Sequence, residues 1–213
     1  MKPSPSFSPP FRSCLALAFA LSLGLALPAT IAPAQAQPAT YSLDPEHTLV
    51  AFMLHHLGYA DVLGQFRDVS GTFQFDEAAG TLSDLQVTIQ TASVDSNHER
   101  RDEHVRSKDF LDAAGHPQIT FVMTGAKATG PKTGLVTGDL TIRGITNPVT
   151  LDVTLNKTGE YPFSATGGAP NYVAGVSARG MVKRSDFDMT YAVENGWVGD
   201  EVAIIIEVEA IRQ

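Results

Sequence analysis

Apolar and polar residues alternate with period two along much of this chain. This turns one face of an extended segment inward and the other to water. Phe73 and Phe75 share a side against Thr72 and Gln74, and Leu85, Val87 and Ile89 alternate with Gln86, Thr88 and Gln90. Ile119, Phe121 and Met123 form a further stripe, as do Leu140 with Ile142 and Leu151, Val153 with Leu155. Val202, Ile204, Ile206 and Val208 form the most regular one. Turn-forming pairs separate the runs: Ala79-Gly80, Gly130-Pro131 and Asn147-Pro148. The pattern predicts an all-β chain of about eight to ten short antiparallel strands, arranged as an up-and-down barrel or a sandwich. An eight-stranded barrel either fills with its own side chains or holds one small ligand. Periodicity does not choose between the two.

Three stretches break the alternation. Residues 48–57 (TLVAFMLHHL) are apolar on both faces, which predicts a strand covered outside as well as inside. Residues 96–112 predict a short helix: Ser96 with Glu99 three positions later has the spacing of a capping box, and residues 97–107 are mostly charged. Phe110 and Leu111 follow it, so this segment is expected to lie across one side or end of the barrel. Residues 161–171 (YPFSATGGAPN) read as a long surface loop at a rim.

The first 36 residues follow a different logic. Lys2 and Arg12 precede an apolar run of thirteen residues, 15–27, too short to span a bilayer and sized for a signal-peptide core. Pro28 interrupts it, and Ala34-Gln35-Ala36 has the small-x-small spacing of a cleavage site. Residues 1–36 are therefore expected to be a cleaved leader and residues 37–213 the mature domain. Cys14, the single cysteine, falls within the leader. The mature chain must then hold together by an ordinary core without disulfides. Without Lys2 and Arg12, thirteen basic residues face 23 acidic ones, a formal net charge of −10. That argues against nucleic acid, and against an anionic membrane, as the main partner.

Chemistry has few visible seats. His98 and His104 are six apart, so they fall on different faces of a helix; zinc hydrolases need them four apart. His55 and His56 are adjacent in a strand and point to opposite faces, and His47 and His116 border turns. No Gly-x-Ser-x-Gly elbow and no phosphate loop is present. No metal, cofactor or catalytic residue is expected. Residues 100–107 are the most charged segment. They read as a solvated helix face with intrahelical ion pairs, or as a source of one arginine that meets an anionic head group at a barrel mouth.

Read in order, several blocks resemble the YceI-like family of lipocalin-like, polyisoprenoid-binding periplasmic proteins. They are 41–44 (YSLD), 55–59 (HHLGY) with 64–66 (GQF), and 71–76 (GTFQFD). The most specific is 101–112 (RDEHVRSKDFLD), followed by 116–121 (HPQITF); Val105 stands where leucine is usual. Residues 138–146 (GDLTIRGIT) and 198–202 (VGDEV) continue the match to Ala210. Two loops depart from the family pattern, Tyr161-Pro162-Phe163 and 185–189 (SDFDM), where Asp188 replaces a common glycine.

The resemblance implies an extended eight-stranded lipocalin-like barrel with one helical segment packed on it. It also implies a periplasmic protein holding a long isoprenoid or similar amphiphilic lipid in an apolar tunnel, without catalysis. The residues expected to line the tunnel are Phe52, Phe73, Phe75, Val87, Ile89, Phe110, Phe121, Met123, Ile142 and Ile204. His56, Tyr59 and Arg106 are expected near a head group. Stable membrane insertion is not expected, and a homodimer is allowed. Two other classes stay open on the residues alone. One is an enzyme acting on a lipid or quinone with His56 as base; the other is a structural or stress-related barrel with a packed interior.

Overall fold

The structure, a computed structural model, describes Met1, residues 37–164 and residues 167–213. Apart from Met1, the leader assigned to residues 1–36 lies outside the described residues. The strands are β1 (Ala39–His56), β2 (Ala60–Phe66), β3 (Val69–Asp76), β4 (Thr81–Gln90), β5 (Val94–Asp95), β6 (Gln118–Ala128), β7 (Thr133–Ile142), β8 (Ile145–Glu160), β9 (Tyr172–Lys183) and β10 (Val198–Arg212). One helix, α1 (Glu99–Arg106), falls between β5 and β6. All strand pairs are antiparallel, and β10 returns to pair with β1. β2 and β3 are two halves of one stave: Val50 pairs with Phe66 and Ala39 with Phe75 along the same partner strand. β5 extends β4 in the same way by pairing with β2. The result is a closed eight-stranded up-and-down barrel.

Bulges set which side chains enter the interior. In β1, Leu43 pairs with Ala210 and Thr48 with Val208, so residues 44–47 bulge opposite Glu209 alone. In β4, Gln86 pairs with Thr72 and Ser83 with Gln74, which leaves Asp84 and Leu85 opposite Phe73. Asp84 takes a left-handed conformation with φ of 53° to turn this corner. An extra residue inverts the alternation. Leu82 and Leu85 therefore both face inward, which strict period two forbids.

The short helix departs from its expected cap. His98, not Ser96, is the N-cap, and no side chain bonds the first turn. Ser96 donates both its backbone N–H, at 2.7 Å, and its hydroxyl to buried Asp102. The Arg101 Nε donates to the Ser96 hydroxyl at 2.7 Å. Eight residues are too few for a helix to persist alone in water. Here the Ser96–Asp102 pair and Arg106, which donates to the carbonyls of Ala92 and Val94 at 2.9 and 2.8 Å, hold it to the barrel end.

Packing is dense at that end. Val94, Leu111, Phe187 and Met189 are buried against Ile119, Ile142 and the upper interior. Asp188 ends the short 3₁₀ turn before it with φ of 59°, the conformation that explains why glycine suits this position. At the opposite end Tyr41 stacks on Phe73, centroids 5.2 Å apart, beside Ala174 and Ala210. The outer face of β1 is less covered than its sequence suggests. Met53 lies in a row Leu63–Met53–Ala203–Met181 across four strands, and the two ends of that row are more than half exposed.

Gly64 pairs directly with Phe52, and a Cβ there would sit 2.2 Å from the Phe52 ring. Missing side chains of this kind make room for large inward rings. We expect Gly64→Ala to displace that ring and destabilise the fold by about 1–3 kcal/mol in urea unfolding. An unchanged midpoint would show that the ring has another place to go.

Candidate functional site

The barrel interior is hollow. A cavity of about 890 Å³ runs from the β1–β2 turn and α1 at one end to the β3–β4 and β6–β7 turns at the other. That size lies toward the upper end for pockets that hold a drug-sized molecule. Its wall comes from the inward residues of every stave: Val50, Phe52 and Leu54 on β1, Val136 and Leu140 on β7, Val153 and Leu155 on β8, and Ile204, Ile206 and Val208 on β10. A packed interior, open on sequence grounds, is thereby excluded. Sequence could not decide this because a filled and a hollow barrel share the same alternation.

Ten of the thirteen expected site residues line this cavity: Phe52, His56, Phe73, Phe75, Val87, Ile89, Phe110, Phe121, Ile142 and Ile204. Three do not. Met123 is packed against the core cluster, outside the cavity wall. Tyr59 stands at the tip of the β1–β2 turn, 89 % exposed. Arg106 faces the strands, where the carbonyls of Ala92 and Val94 take up its guanidinium.

The polar groups that do reach the cavity at the helix end are Ser96, Arg101, His104, Arg184, Tyr191 and His56. Arg101, His104 and Val105 sit at i, i+3 and i+4, one face of α1, and all three line the cavity. Asp102 and Arg106, also four apart, turn the other way. Helical spacing within the charged block was the available signal for Arg101 over Arg106. Nothing local marked Arg184, Tyr191 or Trp197, which arrive from the β9–β10 connection.

Arg184 is 2 % exposed. It donates to the carbonyls of Gly199, Met189 and Val198, each at 2.7 Å. Its guanidinium lies 5.6 Å from the Phe110 ring centre. Burial, more than any neighbour, pushes its pKa down, and Asp200 partly opposes this. His104 meets Phe110 and Tyr191 edge to face, each with centroids 5.0 Å apart, and Phe110 and Tyr191 lie tilted at 5.4 Å. These contacts pack the β9–β10 connection against α1 and the segment that follows it. Their arrangement provides donors and aromatic surface at the rim of an apolar space.

At the far end Glu77 reaches the cavity and accepts from Thr158 and from the Tyr172 hydroxyl, the latter at 2.6 Å. The Arg212 guanidinium lies 4.0 Å from the Tyr172 ring centre. These contacts tie the β3–β4 turn to β8, β9 and β10. A separate group, Asp44, His47 and Glu209, brings three donor atoms within 4.8 Å of one another at the β1 bulge, away from the cavity wall. His47 Nδ1 lies 2.8 Å from Asp44, and Tyr161 donates to Glu209, so these groups already satisfy one another.

A YceI-like domain matches residues 41–210. The chain belongs to the YceI-like family. It is 42 % identical over 196 residues to a UPF0312 protein of Azotobacter vinelandii, covering 91 % of this chain and 96 % of that one. Among solved structures, BcnA of Burkholderia cenocepacia superposes with a TM-score of 0.68 at 27 % identity, over 78 % of this chain and 98 % of BcnA. A polyisoprenoid-binding domain from Saccharophagus degradans superposes with a TM-score of 0.59 at 16 % identity, over 82 % and 99 % of the two chains. At that identity the last likeness concerns the fold alone.

The Glu77 latch has a pH signature. Hydrogen bonds from Thr158 and then Tyr172 hold its carboxyl below the ordinary glutamate range. A folded pKa below the unfolded one gives stability that is present above the unfolded value, about 4.3, and lost as pH falls through the folded one. Urea midpoints measured from about pH 6 down to about pH 3 should therefore fall less steeply for Glu77→Gln than for the parent chain. Parallel slopes would show that the latch is not coupled to folding.

Proposed function

We propose that this protein is exported to the periplasm and carries one long-chain isoprenoid, or a similar amphiphilic lipid, without chemical change. The observation that carries this reading is the cavity: about 890 Å³, running the barrel's length, with aliphatic and phenyl walls. A polar metabolite would lose its hydration there with few groups to replace it. A hydrocarbon chain would gain roughly 0.8 kcal/mol per buried CH₂ before ordering costs. The same barrel fold serves a polyisoprenoid-binding domain in Saccharophagus degradans, so the fold itself accommodates a ligand of this kind. The pattern of residues 1–36 supports export.

Arg101, which also donates to the Ser96 hydroxyl and carbonyl, and His104, paired with Asp109, line the helix end where a polar or anionic head would lie, with buried Arg184 raising the local positive potential. This assigns the head-group role expected of Arg106 to a neighbour one helical face away. Tyr59, too far out to touch a ligand in the cavity, drops from that role.

Native mass spectrometry of protein purified from its own periplasm tests the proposal. The expected result is a mass increment that extracts as a prenyl-type lipid, or uptake of added prenyl lipids by emptied protein. Ala178, buried on the cavity wall, supplies the control. Ala178→Phe should stay folded, at a cost of about 1–3 kcal/mol, and lose most of its uptake. Protein that is ligand-free when isolated and takes up no prenyl lipid would sink the carrier reading.

A further inference from the structure

The exposed aromatic and aliphatic side chains are unevenly placed around the two ends of the cavity. At the helix end, Leu57 and Tyr59 of the β1–β2 turn and Tyr191 and Trp197 of the β9–β10 connection are 43, 89, 44 and 57 % exposed. The two segments are joined, since the Leu57 N–H donates to the Trp197 carbonyl at 2.8 Å. Leu57, Tyr191 and Trp197 also line the cavity. The rim is thus a crescent of apolar surface continuous with the apolar interior. The far end reaches water among Glu77, Lys127 and Lys132 instead, and Phe163 of the β8–β9 loop, 63 % exposed there, does not line the cavity.

We propose that this crescent is a docking surface for a lipid bilayer, through which the cargo passes without crossing water. The proposal rests on the carrier reading. Tryptophan and tyrosine suit a membrane interface because each has an apolar body and one polar tip that stays hydrated. A patch that opens into an apolar cavity has a use for such contact that an isolated surface patch lacks.

The charges beside it select the kind of bilayer. Helix α1, on the other side of the mouth, carries Glu99, Asp102 and Glu103 against Arg100, Arg101 and Arg106, and so has no net charge. The whole chain is acidic, with a formal net charge of −8. The net acidic charge of the chain gives anionic lipids no long-range attraction, so the surface fits zwitterionic head groups, and attachment depends on apolar contact. No helix among the described residues is long and apolar enough to cross a membrane. The docking is peripheral.

Trp197 is the chain's single tryptophan and reports on the rim directly. The mature protein, loaded with geranylgeraniol to occupy the cavity, is mixed with phosphatidylcholine vesicles whose acyl chains carry bromine. Trp197 emission should shift to the blue and be quenched, with little change on adding salt. Tyr59→Asp should weaken vesicle affinity about tenfold or more, the equivalent of one large apolar side chain. Transfer of geranylgeraniol from vesicles should slow in parallel. Binding of geranylgeraniol added from ethanol should not change, because Tyr59 lies outside the cavity.

Uptake from ethanol together with no quenching, and equal transfer by both proteins, would overturn the rim proposal and leave the carrier reading intact. Binding confined to anionic vesicles and abolished by salt would also overturn it. So would a dimer that Tyr59→Asp dissociates, since the crescent would then serve a second copy of the chain. No uptake in any format would instead remove the carrier reading beneath it.

Discussion

The pairing of β1 with β10, from Tyr41–Arg212 at one end to His56–Val198 at the other, converts a ten-segment meander into a closed wall. Without that seam the sheet would have two long open edges, each a row of unpaired backbone groups inviting other chains. With it, every stave can turn apolar side chains inward without any second sheet or layer of helices to meet them. The interior of this molecule exists because the edges are gone. The bulge at residues 44–47 lies on the seam itself and accommodates the change of register between its two halves.

A closed wall of eight staves could still have filled with side chains. Here it did not. Apolar atoms facing a void lack partners on one side and forgo the dispersion energy that a packed core would provide. An apolar chain inside would supply contacts that the wall does not make with itself. The large rings are fitted around the space by glycine on the adjacent strand: Gly64 beside Phe52 and Gly138 beside Phe121. The wall is locally close-packed while the axis is left open.

The barrel's ends are built differently from its wall. At the helix end, polar groups divide into those that fasten and those that face the mouth. Asp102 and Arg106 are consumed in holding an otherwise unstable eight-residue helix in place. Arg101, His104 and Val105, on the other face, line the opening, with Arg101 also bonded to Ser96 and His104 paired with Asp109. At the far end, Glu77, Tyr172 and Arg212 join separate strands through side chains alone.

The sequence by itself determined the fold class and most of the wall. Strand alternation holds along most staves, so Val87, Phe121 and Ile204 could be assigned to the inner face from the chain alone, whereas Phe52, in a stretch apolar on both faces, could not be assigned by alternation. The charged block was also visible as a segment lying across a side or an end of the barrel. Tertiary structure decided three things. Whether the interior is hollow depends on the distance between opposite walls, which no local pattern encodes. The inward turn of both Leu82 and Leu85 depends on the bulge at Asp84, a backbone corner that only the pairing with Phe73 reveals. The mouth's own residues, Arg184, Tyr191 and Trp197, meet α1 only because the barrel closes and brings the β9–β10 connection beside it. Sequence separation hides such neighbours because contact across a barrel is a property of closure, not of spacing along the chain.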